Sequence, residues 1–282
     1  MNNYQLIAFD MDGTLLNSDK QISPETLNAI KRAGDAGKTV ILCTGRNLTE
    51  LNAFTEIIPG LRYLDCVSGA CVYDLKEKKT LYSQALDPGI VKKLMEFALE
   101  EEAMIHVLSE HSIVQRDQQS HMADFHMGIY QTMFDKITDK LENIYNSFCQ
   151  EPFPVLKLNL YHKDEYSRAR TVERIKAAGL ETALALAEST SLECSAKGID
   201  KGVGLQKLCE HLGLPLEQTI AVGDADNDTM ALKTAGLSIA MGNATEPVKA
   251  LADVIVADCD HNGCAEAIDK YLLAENRPQK PV

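Results

Sequence analysis

Leu6-Ile7-Ala8-Phe9-Asp10-Met11-Asp12-Gly13-Thr14 is the stretch that decides the fold, because here a short apolar run ends in two carboxylates. The apolar run predicts a buried strand, and the glycine predicts a bend directly after it. Two carboxylates this close repel each other unless a cation lies between them or one of them keeps a proton. A divalent cation with oxygen ligands, Mg²⁺ rather than Zn²⁺, would explain the pair. Taken alone, a turn rich in Asp and Gly would explain it equally well.

Three further apolar runs also end in polar residues. They are Thr39–Cys43 before Thr44-Gly45-Arg46, Thr219–Val222 before Gly223-Asp224-Ala225-Asp226-Asn227-Asp228, and Leu237–Met241 before Gly242-Asn243. Apolar runs that alternate with helical patterns predict a parallel sheet buried on both faces. Ligands bind such sheets beyond the carboxyl ends of the strands. We therefore expect the polar clusters to meet at one site, which turn chemistry alone would not explain.

The pattern changes between about residues 84 and 189, where short extended stretches alternate with helical ones. Helices are expected over residues 90–102 and 168–178, and extended segments over 104–108, 112–115, 155–161 and 182–186. The doubly wound pattern resumes with a helix over residues 202–211. The predicted class is α/β, with a Rossmann-like, doubly wound core of residues 1–83 and 190–282 and an inserted α+β cap of residues 84–189.

Composition narrows the class of function. The 282 residues carry a formal net charge of −13, which argues against binding to nucleic acid or to an anionic membrane. No apolar stretch approaches the roughly 18 residues of a membrane span, and the first residues lack the layout of a secretory signal. Eight cysteines without a C-x-x-C pair favour reduced thiols. We expect a cytoplasmic protein; its oligomeric state is left open.

Four short motifs, in order along the chain, resemble those of the haloacid dehalogenase superfamily, specifically its Cof-type phosphatases with a type-two cap. Residues 10–15 resemble the first motif, Thr44-Gly45-Arg46 the second, Lys201-Gly202 the third, and Gly223-Asp224 with Asn227-Asp228 the fourth. The insert lies between the second and third motifs, as expected for this cap type. One departure is Ser68-Gly69-Ala70, where Cof-type members usually have Asn-Gly-Ala.

The resemblance implies a role for each matching residue. Asp10 would be the nucleophile that forms an aspartyl-phosphate, and Asp12 would be the general acid and base. Mg²⁺ would be bound by the carboxylates of Asp10 and Asp224 and by the main-chain carbonyl of Asp12. Asp228 and Arg46 would be supporting residues. The phosphate-binding set is Met11 and Gly45 through their amides, Thr44 through its hydroxyl, Lys201 through its charge, and Asn227.

These roles imply a Mg²⁺-dependent hydrolase that removes phosphate from small phosphorylated metabolites, with sugar phosphates expected first. A phosphosugar mutase, which shares this core and cap type, is the nearest alternative. A catalytically silent regulator that binds a phosphorylated metabolite is another. The sequence does not name the substrate or the cap residues that contact it.

Overall fold

The structure is a computed structural model and describes residues 4–187 and 190–274. The elements are, in chain order, β1 (Leu6–Phe9), α1 (Pro24–Asp35), β2 (Thr39–Cys43), α2 (Leu48–Thr55), β3 (Tyr63–Cys66), β4 (Cys71–Asp74) and β5 (Lys79–Ser83). Next come α3 (Pro88–Glu100), β6 (Met104–Leu108), β7 (Ser112–Gln115), α4 (Arg116–Ser120), α5 (Gln131–Ile137), β8 (Thr138–Leu141), α6 (Ile144–Gln150), β9 (Lys157–Tyr161), α7 (Glu165–Ala177), β10 (Thr182–Ala187) and β11 (Ser191–Ala196). The chain then forms α8 (Lys201–Leu212), β12 (Thr219–Gly223), α9 (Thr229–Thr234), β13 (Leu237–Ala240), α10 (Glu246–Leu251), β14 (Val254–Ile255) and α11 (Gly263–Ala267).

Two compact units divide the described chain. The first unit consists of the chain up to Arg46, of Asn52–Ser83, and of the chain from Asp200 onward. The second unit consists of Asn47–Leu51 and Gln84–Ile199. We expected the return to the first unit at residue 190, but it occurs at Asp200. The difference arises because β11 pairs with both β9 and β10 and so belongs to the sheet of the second unit.

The first unit contains an eight-stranded sheet in the order β14-β13-β12-β1-β2-β3-β4-β5. The strands from β14 to β3 are parallel, and β4 and β5 add an antiparallel edge. All four residues of β1 are buried, as are those of β13, which is typical of a sheet covered on both faces. The predicted α/β class with a doubly wound, parallel core is confirmed.

Helix α1 shows how local sequence sets an element of this unit. The Ser23 side chain accepts a hydrogen bond from the amide of Thr26, and Pro24 occupies the first turn, where no amide hydrogen is needed. Ala29, Ile30 and Ala33 form its buried stripe. The helix ends at Asp35, and the chain turns through Gly37 at φ +75°.

The second unit has a six-stranded sheet in the order β10-β11-β9-β6-β7-β8, antiparallel except for the β7–β8 pair. One apolar cluster in this unit takes residues from the sheet and from the helices α3, α6 and α7. Its sheet residues include Ile105, Val107, Leu158, Leu160 and Leu192. The alternate residues of the same strands are mixed: His106, Lys157 and Asn159 are polar, whereas Met104 and Tyr161 belong to a second apolar cluster.

Composition led us to expect reduced cysteines and no membrane-spanning segment. All eight cysteines lie in the described ranges and are free thiols. Of the helices formed by residues 4–187 and 190–274, none combines the length and the apolar character needed to cross a membrane.

Candidate active site

The carboxyl ends of β1, β2 and β12 lie side by side, because β1 pairs in parallel with both neighbours. Asp10 follows β1 directly, and its amide donates to the carbonyl of Val222 at 3.0 Å. Thr44 follows β2, and Asp224 follows β12. The parallel register therefore brings the first, second and fourth motifs to one edge of the sheet, as the sequence predicts.

Lys201 links Asp10 to Asp228. The lysine is the first residue of α8, and its Nζ lies 2.6 Å from Asp10 Oδ1 and 2.6 Å from Asp228 Oδ1. None of the lysine side chain is exposed. Burial alone would lower the pKa of Lys201, but the charges of Asp10 and Asp228 outweigh burial and raise it well above its usual value. The ammonium group therefore stays charged while buried.

Three carboxylates form a group that could hold a metal ion. Asp10, Asp224 and Asp228 each offer an oxygen, and these oxygens lie within 4.8 Å of one another. Burial, reinforced by Asp228, raises the pKa of Asp10 to about 7, although Lys201 acts in the opposite direction. Burial also raises the pKa of Asp224 to about 6 against the hydrogen bond from Thr14. An all-oxygen donor set with excess negative charge suits a hard divalent cation such as Mg²⁺.

Gly13 lets the loop after β1 approach the loop after β12 closely. Gly13 has φ +83°, and a Cβ there would lie 2.4 Å from Asp224 Oδ2. The second carboxylate oxygen of Asp228 accepts from the amides of Asp224 and Ala225 at 2.9 and 3.0 Å. Asp228 therefore fixes both Lys201 and the backbone of the loop that carries Asp224.

The Asp12 carboxylate is not among these three carboxylates and is held by two cations. Arg46 donates to it through Nε at 2.9 Å and Nη2 at 2.8 Å, and Lys20 donates through Nζ at 2.9 Å. Burial raises the pKa of Asp12, but Arg46 and Lys20 together lower it below its ordinary value. The Arg46 guanidinium also lies over the ring of Phe54, 5.5 Å from its centroid. The carboxylate of Asp12 is 44% exposed, unlike that of Asp10.

The remaining phosphate-binding candidates differ in their placement. Thr44 is buried, and its Oγ1 accepts from the Arg46 amide at 3.3 Å. The side chain of Met11 is buried, and Gly45 is half-buried beside Thr44. Asn227 is exposed, and no described hydrogen bond joins its side chain to the other candidates. The structure thus groups Asp10, Lys201, Asp224 and Asp228 tightly, whereas Asn227, directly before Asp228 in the chain, is exposed.

Several contacts at the site were not predicted from the sequence. Thr14 Oγ1 donates to Asp224 Oδ1 at 2.8 Å, and Asn243 Nδ2 donates to the carbonyl of Gly13 at 2.8 Å. Thr14 lies within the first motif and Asn243 directly follows the fourth apolar run, so their positions were a usable signal. The ion pair of Lys20 with Asp12 had no such signal, because the loop that brings them together lacks a regular pattern.

A buried Asp65–Cys43 pair lies next to the start of α8. Cys43 Sγ lies 2.9 Å from Asp65 Oδ2, and Gly204 packs so closely on this carboxyl that a Cβ there would meet Asp65 Oδ1 at 2.0 Å. Burial raises the pKa of Asp65 to about 8. Asp65 lies within the buried strand β3, and no motif in the sequence indicated a functional acid there.

The loop after β3 connects the second and third motifs. Val67, Ser68 and Gly69 have φ values of 55°, 55° and 90°, and the amides of Val67 and Ser68 donate to the carbonyls of Arg46 and Thr44 at 2.9 Å. A β-branched residue at positive φ is strained. A Cβ on Gly69 would lie 1.8 Å from the carbonyl oxygen of Asp200, the residue before Lys201. The loop therefore contacts, through its backbone, both the segment that carries Thr44 and the segment that leads into Lys201.

Known proteins are similar to this chain in sequence and in fold. A family model for haloacid dehalogenase-like hydrolases matches residues 7–268. The 5-amino-6-(5-phospho-D-ribitylamino)uracil phosphatase YcsE of Bacillus subtilis (strain 168) is 30% identical over 274 residues, covering 95% of this chain and 96% of the relative. The HMP-PP phosphatase of Enterobacter sp. (strain 638) is 28% identical over 284 residues, covering 98% and 99%.

A solved structure agrees with these relatives. The crystal structure of a haloacid dehalogenase-like hydrolase from Bacteroides thetaiotaomicron superposes with a TM-score of 0.81 at 27% identity, covering 95% of this chain and 99% of the other. The resemblance drawn from the four motifs is therefore confirmed. Because the family model spans nearly the whole chain, the protein belongs to the haloacid dehalogenase-like hydrolase family.

Proposed function

We propose that this protein is a Mg²⁺-dependent phosphatase that hydrolyses phosphate monoesters of small metabolites through an aspartyl-phosphate on Asp10. The observation that carries the proposal is the convergence of Asp10, Lys201, Asp224 and Asp228 at the strand ends of a chain in this family. The relatives described above are named as phosphatases, which supports the same reaction class here.

The first half of the reaction transfers the phosphoryl group to the protein. An Asp10 carboxylate oxygen forms a bond to phosphorus while the ester oxygen leaves, and Asp12 gives that oxygen a proton. Arg46 and Lys20 both favour the ionised form of Asp12. The carboxyl can therefore act as an acid only after these cations loosen their hold on it.

The second half hydrolyses the intermediate. Asp12, now a carboxylate, takes a proton from water as the water oxygen attacks phosphorus, and the bond from phosphorus to Asp10 breaks. Inorganic phosphate leaves, and Asp10 returns as a carboxylate. Throughout, the buried charge of Lys201 and the Thr44 hydroxyl would stabilise the negative charge on the equatorial oxygens.

Mg²⁺ fits the carboxylate group at this site. Asp10 and Asp224, with the main-chain carbonyl of Asp12, would hold the ion, and it would supply Lewis-acid stabilisation of the transferring phosphoryl group. Asp228 would keep Lys201 and the Asp224 loop in place through the contacts described above. The repulsion among these three closely spaced carboxylates, two of them buried, is the physical reason to expect a cation there.

The second unit would act as the cap that the family resemblance implies, excluding water and reading the leaving group. Sugar phosphates are our first choice of substrate, and the cytoplasm, consistent with eight free thiols, is our expected location. A phosphosugar mutase would need the same core, but it must protect the aspartyl-phosphate from water. An isomerisation assay with a bisphosphate activator distinguishes that alternative.

The proposal is tested by phosphate release from a panel of sugar phosphates and p-nitrophenyl phosphate, with Mg²⁺ or with EDTA. We expect turnover with Mg²⁺, none with EDTA, and a loss of at least about 10³-fold in Asp10→Asn because the nucleophile is gone. A single turnover in H₂¹⁸O, followed by mass spectrometry, should leave Asp10 unlabelled, because water attacks phosphorus.

Asp226→Asn is the matched control, since it makes the same change of Asp to Asn at an exposed position in the loop after β12. It should keep most of the activity. Full activity in Asp10→Asn would refute the nucleophile assignment, and absence of hydrolysis across the panel with Mg²⁺ would refute the proposed function.

A further inference from the structure

Asp65 is a fully buried acid of β3 that contacts the segments carrying Thr44 and Lys201. Its main-chain carbonyl accepts from the Thr44 amide at 2.8 Å, and its Oδ2 lies 2.9 Å from the Sγ of Cys43, the residue before Thr44. The same Sγ lies 3.8 Å from the carbonyl oxygen of Lys201. In the first turn of α8, a Cβ on Gly204 would lie 2.0 Å from Asp65 Oδ1. Asp65 therefore contacts both β2 and α8 within the first unit.

The first turn of α8 is held from two sides through glycines. A Cβ on Gly202 would lie 2.7 Å from the carbonyl oxygen of Met230 in α9, and Gly204 packs on the Asp65 carboxyl. Any larger side chain at either position would push the helix away from its neighbour. The position of this turn, which begins with Lys201, is thus fixed between α9 and the Asp65 carboxyl.

The Asp65 carboxyl is surrounded by few groups that could stabilise its charge. The groups that face it are the Cys43 thiol on β2, Asp200 and Lys201 on α8, and the apolar Val72 opposite it on β4. Within residues 4–187 and 190–274, Asp65 Oδ1 is one of four buried side-chain atoms without a hydrogen-bond partner. Burial raises the pKa of Asp65 to about 8, although Cys43 and Lys201 act in the opposite direction. The carboxyl is therefore neutral at pH 7.

Ionisation of Asp65 would disturb both neighbouring segments. A buried carboxylate needs hydrogen-bond donors or water, and Oδ1 has no donor in the described fold. For water to enter, the close contact between Gly204 and the carboxyl must open, and this movement would displace the first turn of α8 with Lys201. The new negative charge would also lie close to Thr44, where it would oppose the binding of a phosphate anion.

We propose that Asp65 is a positioning residue for phosphoryl transfer, which holds Lys201 and Thr44 in register by packing its carboxyl between β2 and α8. The neutral carboxyl performs this role, and ionisation abolishes it. This inference rests on the proposed phosphatase function and adds a residue outside the four motifs. Asp65 acts through its neighbours and is not itself assigned a contact with phosphate or metal.

The first test is the dependence of kcat on pH with Mg²⁺ and the best substrate of the panel. One pH unit above its pKa the carboxyl is about nine-tenths ionised, so wild-type kcat at pH 9 should be about tenfold below its value at pH 7. Asp65→Asn has nearly the same shape and does not titrate. It should keep kcat within about threefold of wild type at pH 7 and should not lose it by pH 9.

The second test removes the carboxyl. Asp65→Ala should lower kcat at pH 7 at least about tenfold with a smaller change in KM, because a displaced lysine weakens the transition state more than the bound substrate. Asp74→Ala is the matched control, since Asp74 is also a buried acid of this sheet and pairs with Arg62 at 2.8 Å. The control should lose stability in urea and keep the kcat and pH profile of wild type.

The outcomes separate this inference from the proposed function. The inference is overturned by an alkaline loss of kcat that is the same in wild type and Asp65→Asn, by a wild-type profile that stays level to pH 9, or by wild-type kcat in Asp65→Ala. In each case the phosphatase function would stand. If Asp65→Ala does not fold, the pH profile of Asp65→Asn decides alone. Absence of hydrolysis by the wild-type protein would instead refute the proposed function, and the inference with it.

Discussion

Lys201 keeps its full charge at a position with no exposed side-chain surface. It is retained there by carboxylates on two different segments, Asp10 after β1 and Asp228 before α9. Removing one partner of a buried ion pair typically costs about 3–5 kcal/mol of stability, because a buried charge is left uncompensated. The same ionic contacts that we assign to phosphate transfer therefore also hold three loops of the first unit together.

Asp65 gives a prediction for pH dependence at the residue scale. The folded chain keeps a proton on Asp65 up to pH about 8, whereas the unfolded chain loses it near the ordinary pKa of 3.8. Between these pH values the folded state binds more protons, so this residue makes the free energy of unfolding fall as pH rises. Asp65 alone lowers the free energy of unfolding by up to about 1.4 kcal/mol for each pH unit in this range.

Asp65→Asn should remove this contribution, because the amide does not titrate. Urea unfolding between pH 5 and pH 7.5 should show the variant gaining stability relative to wild type as pH increases. The exposed Asp226→Asn variant controls for the loss of one carboxylate. If the profiles of Asp65→Asn and wild type run parallel, Asp65 is not held protonated in the folded protein.

Single residues were predictable where they stood at the end of an apolar run. Asp10, Thr44 and Asp224 follow strands whose parallel pairing the sequence already predicted. Asn227 was grouped with them because of its position in the fourth motif, yet it is exposed. Its position next to Asp228 in the sequence did not fix the direction of its side chain. Asp226–Asp228 form a short 3₁₀ helix, in which neighbouring side chains point in different directions.

At the scale of elements, the loop Val67–Gly69 contacts both the segment that carries Thr44 and the segment that leads into Lys201. Its backbone donates to the Thr44 and Arg46 carbonyls and packs against Asp200 at the start of α8. Asp200 is also the N-cap of that helix, since its side chain accepts from the amide of Val203 at 3.0 Å. A shift of this loop would therefore move Lys201.

Gly69→Ala should impair catalysis as well as stability, because the new Cβ would collide with the Asp200 carbonyl. We expect a fall in kcat of at least about tenfold, since a small displacement of a positioning group is expensive in rate. Gly37→Ala is the matched control, because Gly37 has φ +75° with no atom near its Cβ direction. The control should lose only about 1–2 kcal/mol of stability, measured by urea unfolding, and keep its kcat. Equal losses of kcat in both variants would contradict the positioning role.

Elements with strong local signals were predicted closely. The helices expected over residues 90–102 and 202–211 span Pro88–Glu100 and Lys201–Leu212, and the apolar run at Thr219 forms β12. The antiparallel strands β4, β5 and β11 were not predicted as strands. Their identity depends on pairing partners distant in sequence, and β11 carries Glu193 and two serines rather than an apolar run.

At the scale of the whole molecule, the charged group on which the proposed function depends lies within the first unit, at its strand ends. The family, the doubly wound core and the existence of an insert could be predicted from the sequence. The end of the insert could not be predicted from the sequence. Residues up to 199 belong to the second unit because β11 pairs with β9 and β10, and such pairing with distant strands leaves no local sequence signal.

Mg²⁺ should stabilise the intact protein. An ion that binds only the folded state, at about 100 times its dissociation constant, adds about 2.7 kcal/mol to the free energy of unfolding. We therefore expect the melting temperature to rise by roughly 5 °C with Mg²⁺. Asp224→Asn should lose most of this rise because a ligand is removed, while Asp226→Asn should keep it. An equal rise in both variants would place the ion elsewhere.

A crystal structure of the protein grown with Mg²⁺ and beryllium fluoride tests the central claim most directly, because beryllium fluoride mimics a phosphoryl group on a carboxylate. The account predicts a beryllium atom bonded to the Asp10 carboxylate, Mg²⁺ between Asp10 and Asp224, and fluorine atoms within hydrogen-bond distance of Lys201 and Thr44. An Asp10 carboxylate that stays unbonded, with the metal and the fluoride bound at other residues, would contradict it.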